Sequence, residues 1–298
     1  MRVYQKIPPD FSSLFSPVKI GNLLIKNRIV LAPMDVGMIN PDGSLTERIV
    51  GYYEERAKGG VGLIITQFTA VVDDQRMDSP GVFSDRQIFG LNYLAETVQE
   101  YGVRIFLQIA HHGGRAVKSV TGLQPVAPSA ILSPLYQDAP RELTKKEIED
   151  LIEKFIQAAK RAKTAGFDGV EVHGAHTYLI GQFISPHTNR RKDEYGKDFE
   201  GRMRFVTEVY ERVRAAVGSD YPVGIRINGD DFIIDGQKTW TSGGSHMNYI
   251  YLVARTDADV AKHKGISEFF FSTDLPGITV QSIVDMTGGV HFNEVFFD

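Results

Sequence analysis

The chain has 298 residues, 42% hydrophobic and 23% charged, enough for one large domain or two smaller ones. Its 33 basic and 37 acidic residues give a net charge of -4, with no basic stretch dense enough to follow a phosphate backbone or an anionic membrane. The absence of cysteine excludes disulfides, thiolate zinc sites and cysteine-ligated iron–sulfur clusters. The start Met1-Arg2-Val3-Tyr4 leads into no apolar signal region, and no run reaches membrane-spanning length, so a cytoplasmic location is expected.

From Arg28 onward, apolar runs of strand length alternate with amphipathic stretches, the pattern of parallel strands joined by crossover helices. Strands are expected at 29–32, 62–66, 103–108, 169–173 and 222–227. Helices are expected at 46–58, 87–101 and 200–217, each stopped by glycine. A fourth starts at Thr144, which forms a capping box with Glu147, and carries Ile148, Leu151, Ile152, Phe155, Ala159 and Ala162 on one face. After Asn228 the texture becomes aromatic, β-branched and turn-rich, which predicts an all-β tail. A hairpin is expected around Asp235-Gly236, further strands at 249–255, 267–272, 278–285 and 291–297, and a turn at Asp274-Leu275-Pro276-Gly277.

Several phrases carry a family resemblance: Leu14-Phe15-Ser16-Pro17, Asn27 to Met34, Gln108 followed by His112-Gly113-Gly114-Arg115, and Ala127-Pro128-Ser129-Ala130. The longest runs from Ala165 through His173-Gly174-Ala175-His176-Thr177-Tyr178 to Gln182-Phe183-Ile184-Ser185-Pro186, Asn189-Arg190-Arg191 and Asp193-Glu194-Tyr195-Gly196. Up to about residue 229 the chain resembles the Old Yellow Enzyme, NADH:flavin oxidoreductase and 2,4-dienoyl-CoA reductase family of FMN-binding TIM barrels. The expected fold class is therefore α/β, an incomplete TIM barrel of about five βα units, followed by a small antiparallel β-barrel-like domain.

The resemblance implies an ene-reductase using NAD(P)H to reduce an electron-poor alkene or enoyl-type substrate. His173 and His176 would hydrogen-bond the activating oxygen as hydride arrives from the flavin, and Tyr178 would supply the proton. Arg226 would lie beside the flavin N1/O2 edge, Gln108 at the pyrimidine edge, and Ala32, Pro33 and Met34 against the ring. Read from the residues alone, His-x-x-His is also compatible with a metal, but it stands at a strand end without a third ligand at suitable spacing, so no metal site is assigned. Tyr178 read alone is a packing residue, and Gln108 and Arg226 are surface or ion-paired groups. His111 and His112 are read as mainly structural. Phe68 stands where the family suggests a small residue, Thr177 where glycine is usual, and Gly196-Lys197-Asp198 where Gly-Gly-Ser is common.

Residues 230–298 are similar to the middle β-domain of acyl-CoA dehydrogenases, on Gly236 to Gly244, Ala254-Arg255-Thr256-Asp257, Pro276 to Val280 and Phe292 to Phe297. In that family Trp240 and Ser242 would approach FAD; read alone, Trp240 is the core aromatic of a small barrel. Gly229-Asp230-Asp231-Phe232 suits either parent, so a join of two flavoenzymes is expected there. Barrel strands beyond the fifth are not read in the sequence, among them strands seven and eight, whose following loops hold the FMN phosphate in this family. The alternatives to catalysis are an inactive chimeric fragment and an acyl-CoA dehydrogenase fragment.

Overall fold

The computed structural model describes residues 9–74, 76–133, 136–228, 236–242, 249–255, 266–273, 278–284 and 292–297. The chain divides into two compact units, Met1–Asn228 and Gly229–Asp298.

In the first unit, the hairpin β1 (Val18–Ile20) and β2 (Leu23–Ile25) precedes β3 (Val30–Leu31), α1 (Glu47–Lys58), β4 (Leu63–Ile65) and β5 (Thr69–Ala70). Then come α2 (Ile88–Gln99), β6 (Arg104–Ala110), α3 (Lys118–Thr121), β7 (Val126–Ala127), β8 (Arg141–Glu142) and α4 (Lys145–Thr164). The unit ends with β9 (Gly169–Gly174), α5 (Leu179–Ile184), α6 (Phe199–Val217) and β10 (Val223–Ile227). The main sheet is parallel, in the order β10-β9-β6-β4-β3 with β5 also on β6, and curls as part of a TIM barrel.

Why the expected elements form is visible in their caps and faces. Thr144 accepts from Glu147 N–H, and the Glu147 carboxylate accepts from Thr144 N–H at 2.8 Å, closing the capping box. The six apolar residues of α4 read from the sequence are all buried. They join the outward-facing strand residues Ile105, Leu107, Ile109, Val170 and Val172 in one core under the crossover helices. The sequence missed the β1–β2 hairpin, β5, β7, β8, α3 and α5. Each is six residues or fewer, too short to show a period.

The other face of the sheet is layered. At the bottom, Ile25 of the hairpin packs on Leu63 and Phe106. Gly169 is required there, because a Cβ would stand 2.7 Å from the Phe106 ring. The middle layer is polar, with Gln108 and Glu171. The top layer holds Phe68, Ala70 and Ala110 with Tyr178 against them. Strand alternation places Glu171 and His173 on this inner face and Val170 and Val172 on the outer one. On β10, Ile225 and Ile227 are 39% and 56% exposed.

In the second unit, β11 (Gly236–Ser242), β14 (Ile278–Ile283) and β15 (Phe292–Phe297) form an antiparallel sheet ordered β11-β15-β14. Strands β12 (Tyr249–Arg255) and β13 (Ile266–Ser272) form an antiparallel pair. The expected strand 249–255 forms with those bounds and the one expected at 267–272 begins a residue earlier, while the expected ends at 285 and 291 lie outside the described residues. The Asp235-Gly236 turn and its preceding strand, the Asp274 to Gly277 turn and the Gly229 to Phe232 join lie outside the described residues, and β11 pairs with β15. Trp240 and Ser242 fall on β11; their side chains are also outside the description.

Candidate functional site

The inward polar residues converge at the carboxyl ends of β6, β9 and β10, the face where βα barrels carry their chemistry. Register fixes the neighbours: Gln108 of β6 lies opposite Glu171 of β9, and His173 opposite Arg226 of β10. Gln108 Nε2 donates to Glu171 Oε1 at 2.7 Å, and Arg226 Nε donates to the same oxygen at 3.2 Å. A buried carboxylate therefore holds both groups that the family resemblance places at a flavin. Glu171 escaped the sequence reading, although its place two residues before His173 already put it on the same strand face.

His173 is 3% exposed and its ring is 5.0 Å from those of both His176 and Tyr178. Burial, reinforced by the nearby His176 and by the cations Arg226 and Arg115, lowers the His173 pKa to about 3, so the ring stays neutral. Its Nδ1 is buried with no protein hydrogen-bond partner among the described residues. His176 lies exposed on the rim. Partial desolvation of its ring, then Arg226 and Arg115, also hold it below the usual imidazole value. Burial raises the Tyr178 phenol, opposed by Arg115, whose guanidinium lies 5.0 Å over its ring. Burial prevails, leaving a protonated phenol beside two imidazoles.

The loop that assembles this group is strained. His176 and Thr177 have φ of 55° and 58°, a left-handed pair without glycine. Arg115 Nη1 donates to His176 O at 3.0 Å, Gln182 Nε2 to Thr177 O at 2.6 Å, and His176 N–H to Asn228 Oδ1 at 3.2 Å. A β-branched residue in this conformation costs roughly 1–2 kcal/mol, partly offset by glycine's larger unfolded-state entropy. Thr177→Gly should therefore raise stability by about 0.5–1 kcal/mol; chemical denaturation checks it, and a loss of stability would show that the threonine hydroxyl contacts outweigh the strain.

His112 corrects the sequence reading. The third strand was expected to end at Gln108, but β6 runs on to Ala110. Two residues beyond, His112 falls on the inner side, its ring 4.1 Å from Phe68 and 5.6 Å from Tyr178, so it belongs to the site wall. Phe68, 4.7 Å from Tyr178, narrows the same space. Ala32, Pro33 and Met34 follow β3 on the same strand-end side, with Met34 63% exposed. The Asn189-Arg191 motif is a structural clamp. Asn189 Nδ2 donates to Phe183 O and Tyr195 O, and Arg191 donates to Pro128 O, Leu143 O and Asp193.

A flavin ring needs donors along its pyrimidine edge. Besides Arg226 Nη1 and Nη2, which have no acceptor among the described residues, Gln67 offers a buried Nε2 without a partner, its Oε1 being held by Val36 N–H at 2.8 Å. These groups fit the ring end of FMN. No group of three or more His, Cys, Asp or Glu that could hold a metal ion occurs among the described residues, and no described helix is long and apolar enough to cross a membrane.

Comparison with known proteins agrees with this geometry. Residues 13–268 match the NADH:flavin oxidoreductase / NADH oxidase family. The chain is 49% identical over 242 residues to an NADH oxidase of Thermoanaerobacter brockii, and 41% identical over 245 residues to a cinnamate reductase of Clostridium sporogenes. These alignments cover 78% and 79% of the chain but only 36% of each relative. The Old Yellow Enzyme homologue of Zymomonas mobilis superposes with a TM-score of 0.68 at 38% identity, over 72% of this chain and 63% of that one. The family match runs past residue 229, where the sequence suggested a join. The chain belongs to the NADH:flavin oxidoreductase / NADH oxidase family, the family of Old Yellow Enzyme.

Proposed function

We propose that the first unit carries the substrate-activating half of an FMN-dependent ene-reductase site that takes electrons from NAD(P)H and reduces activated alkenes. The observation that carries this reading is the cluster of neutral His173 and His176 beside the protonated Tyr178, at the strand ends next to Arg226. The two imidazoles would donate to the carbonyl or nitro oxygen of the substrate, stabilising negative charge that builds in the transition state. Tyr178 holds its proton at the phenol oxygen, available for the developing carbanion. Arg226 and Gln108, pinned by Glu171, would hold the pyrimidine edge of the ring, with Pro33, Met34 and Ala32 along it. FMN, when bound, supplies the hydride chemistry. Phe68 and His112 narrow the substrate space, which favours slim, flat alkenes.

The finer organisation belongs to the same proposal. Residues 1–229 would be a partial barrel, and residues 230–298 a small β-domain of the acyl-CoA dehydrogenase middle type, with Trp240 in its core. A cytoplasmic setting suits a site reduced by NAD(P)H. The exposed outer face of β10, at Ile225 and Ile227, favours a second reading, a chain that holds flavin weakly and does not turn over.

The full chain, reconstituted with FMN, should keep flavin through gel filtration and reduce cinnamaldehyde with NADH or NADPH. His173→Ala should lower the rate by about 10²–10³ while leaving bound flavin unchanged. A colourless protein without turnover supports the second reading.

A further inference from the structure

The consecutive histidines after β6 face opposite ways. His112 lines the alkene side, whereas His111 lines a separate cavity on the outer side of the sheet, enclosing about 380 Å³ between the chain after β5, the β7–β8 pair and the first turns of α4. That volume lies within the roughly 300–1,000 Å³ of small-molecule sites. His111 is 3% exposed. Its Nδ1 accepts from Gly113 N–H at 2.9 Å, which fixes the ring proton on Nε2. That N–H has no acceptor among the described residues, and burial keeps the ring neutral by lowering its pKa to about 4. Its Nε2–H offers a donor to an acceptor oxygen of a ligand in this cavity, whose apolar lining comes from Val71, Phe83 and Leu151 and whose charged lining is carried by the β8 and α4 side chains and by Asp73 and Asp74.

The mouth sets the charge of that ligand. Arg141 and Glu147 are joined at 2.6 Å, and Asp73 pairs with Arg76. Asp74 and Asp150 have no ion-pair partner among the described residues; Lys154 lines the same cavity, and Asp74 also feels Arg141, whose own partner is Glu147. The uncommitted groups therefore sum to one negative charge, which favours a cation over an anion.

The geometry points to a second binding site, distinct from the alkene site: a pocket for a small aromatic amide or ketone bearing an ammonium group, its oxygen on His111 Nε2–H and its cation at Asp74 and Asp150. The site has a route to the catalytic loop. His111 O accepts from Leu179 N–H at 3.0 Å, and Leu179 directly follows Tyr178. Occupancy therefore bears on the strand end from which the tyrosine loop hangs.

The probe is 4-(aminomethyl)benzamide, added to the full chain, with benzoate as the anionic control. Calorimetry should give saturable millimolar or tighter binding, and soaked crystals should place the amide oxygen on His111. His111→Phe should abolish binding. Because that change also removes the acceptor for Gly113, the exposed pair D74N/D150N gives an independent reading, with affinity expected to fall several-fold. His173→Ala should leave binding intact. The proposal is overturned if the probe fails to saturate, sits at His173, loses its affinity in the His173→Ala protein, or is matched by benzoate. It stands independently of whether the chain reduces alkenes.

Discussion

Replacing Glu171 by leucine should destabilise the first unit by about 2–3 kcal/mol and loosen flavin binding with it. Glu171 Oε1 is the shared acceptor of Gln108 Nε2 and Arg226 Nε, and Gln108 is only 2% exposed. Removing one partner of a buried pair generally costs about 3–5 kcal/mol, because the remaining charge is stranded. The Arg226 side chain is 31% exposed, so water recovers part of that loss and the lower figure applies. Glu171→Gln keeps an acceptor oxygen in place and should cost about 1 kcal/mol. The double variant E171L/R226L should recover part of the leucine penalty, since no cation is left unpaired. Urea titration followed at the first unit's signals measures all three. A leucine variant within about 0.5 kcal/mol of the parent would mean that solvent satisfies Gln108 and Arg226, and that Glu171 does not organise the flavin edge.

The same strand shows what was legible in the sequence and what was not. Gly169-Val170-Glu171-Val172-His173 reads as a parallel strand because buried β-branched residues alternate with others, and α4 was legible because its capping box and apolar face are local features. His173, His176, Tyr178, Gln108 and Arg226 were singled out from the family phrases and their strand-end positions, and the structure gathers them at one end of the sheet. Glu171 was passed over because a lone acid in a strand signals nothing until its cross-strand neighbours are known. His112 was misplaced because the side a residue faces depends on the exact strand end, and β6 extends two residues beyond the expected one. The left-handed backbone at Thr177 left a trace in the sequence, a non-glycine where the family resemblance suggests glycine, but only the φ angle turns that departure into strain. The outer pocket could not be read at all, since its walls come from five separated segments.

Acid should unfold this chain earlier than its carboxylates alone would dictate. In the folded protein burial holds His111 and His173 neutral, lowering their pKa to about 4 and about 3. Unfolding returns both to about 6.5, so between that pH and the folded values the unfolded chain binds up to two more protons than the native one at these positions. Their contribution to stability is therefore complete above about pH 6.5 and is lost as the pH falls towards the folded values. The slope should approach about 2.7 kcal/mol per pH unit between about pH 6 and about pH 4.5, two protons at about 1.4 kcal/mol each. Glu147, lowered to about 2 chiefly by its bond to Arg141, adds its own loss only below that window. Urea midpoints measured across the window test the count. His173→Asn should remove one proton's worth of slope, about 1.4 kcal/mol per unit, whatever it does to stability at neutral pH. An unchanged slope in that variant would mean that His173 titrates alike in the folded and unfolded chain. The neutral imidazole on which the alkene-activating role depends would then be lost at mildly acidic pH.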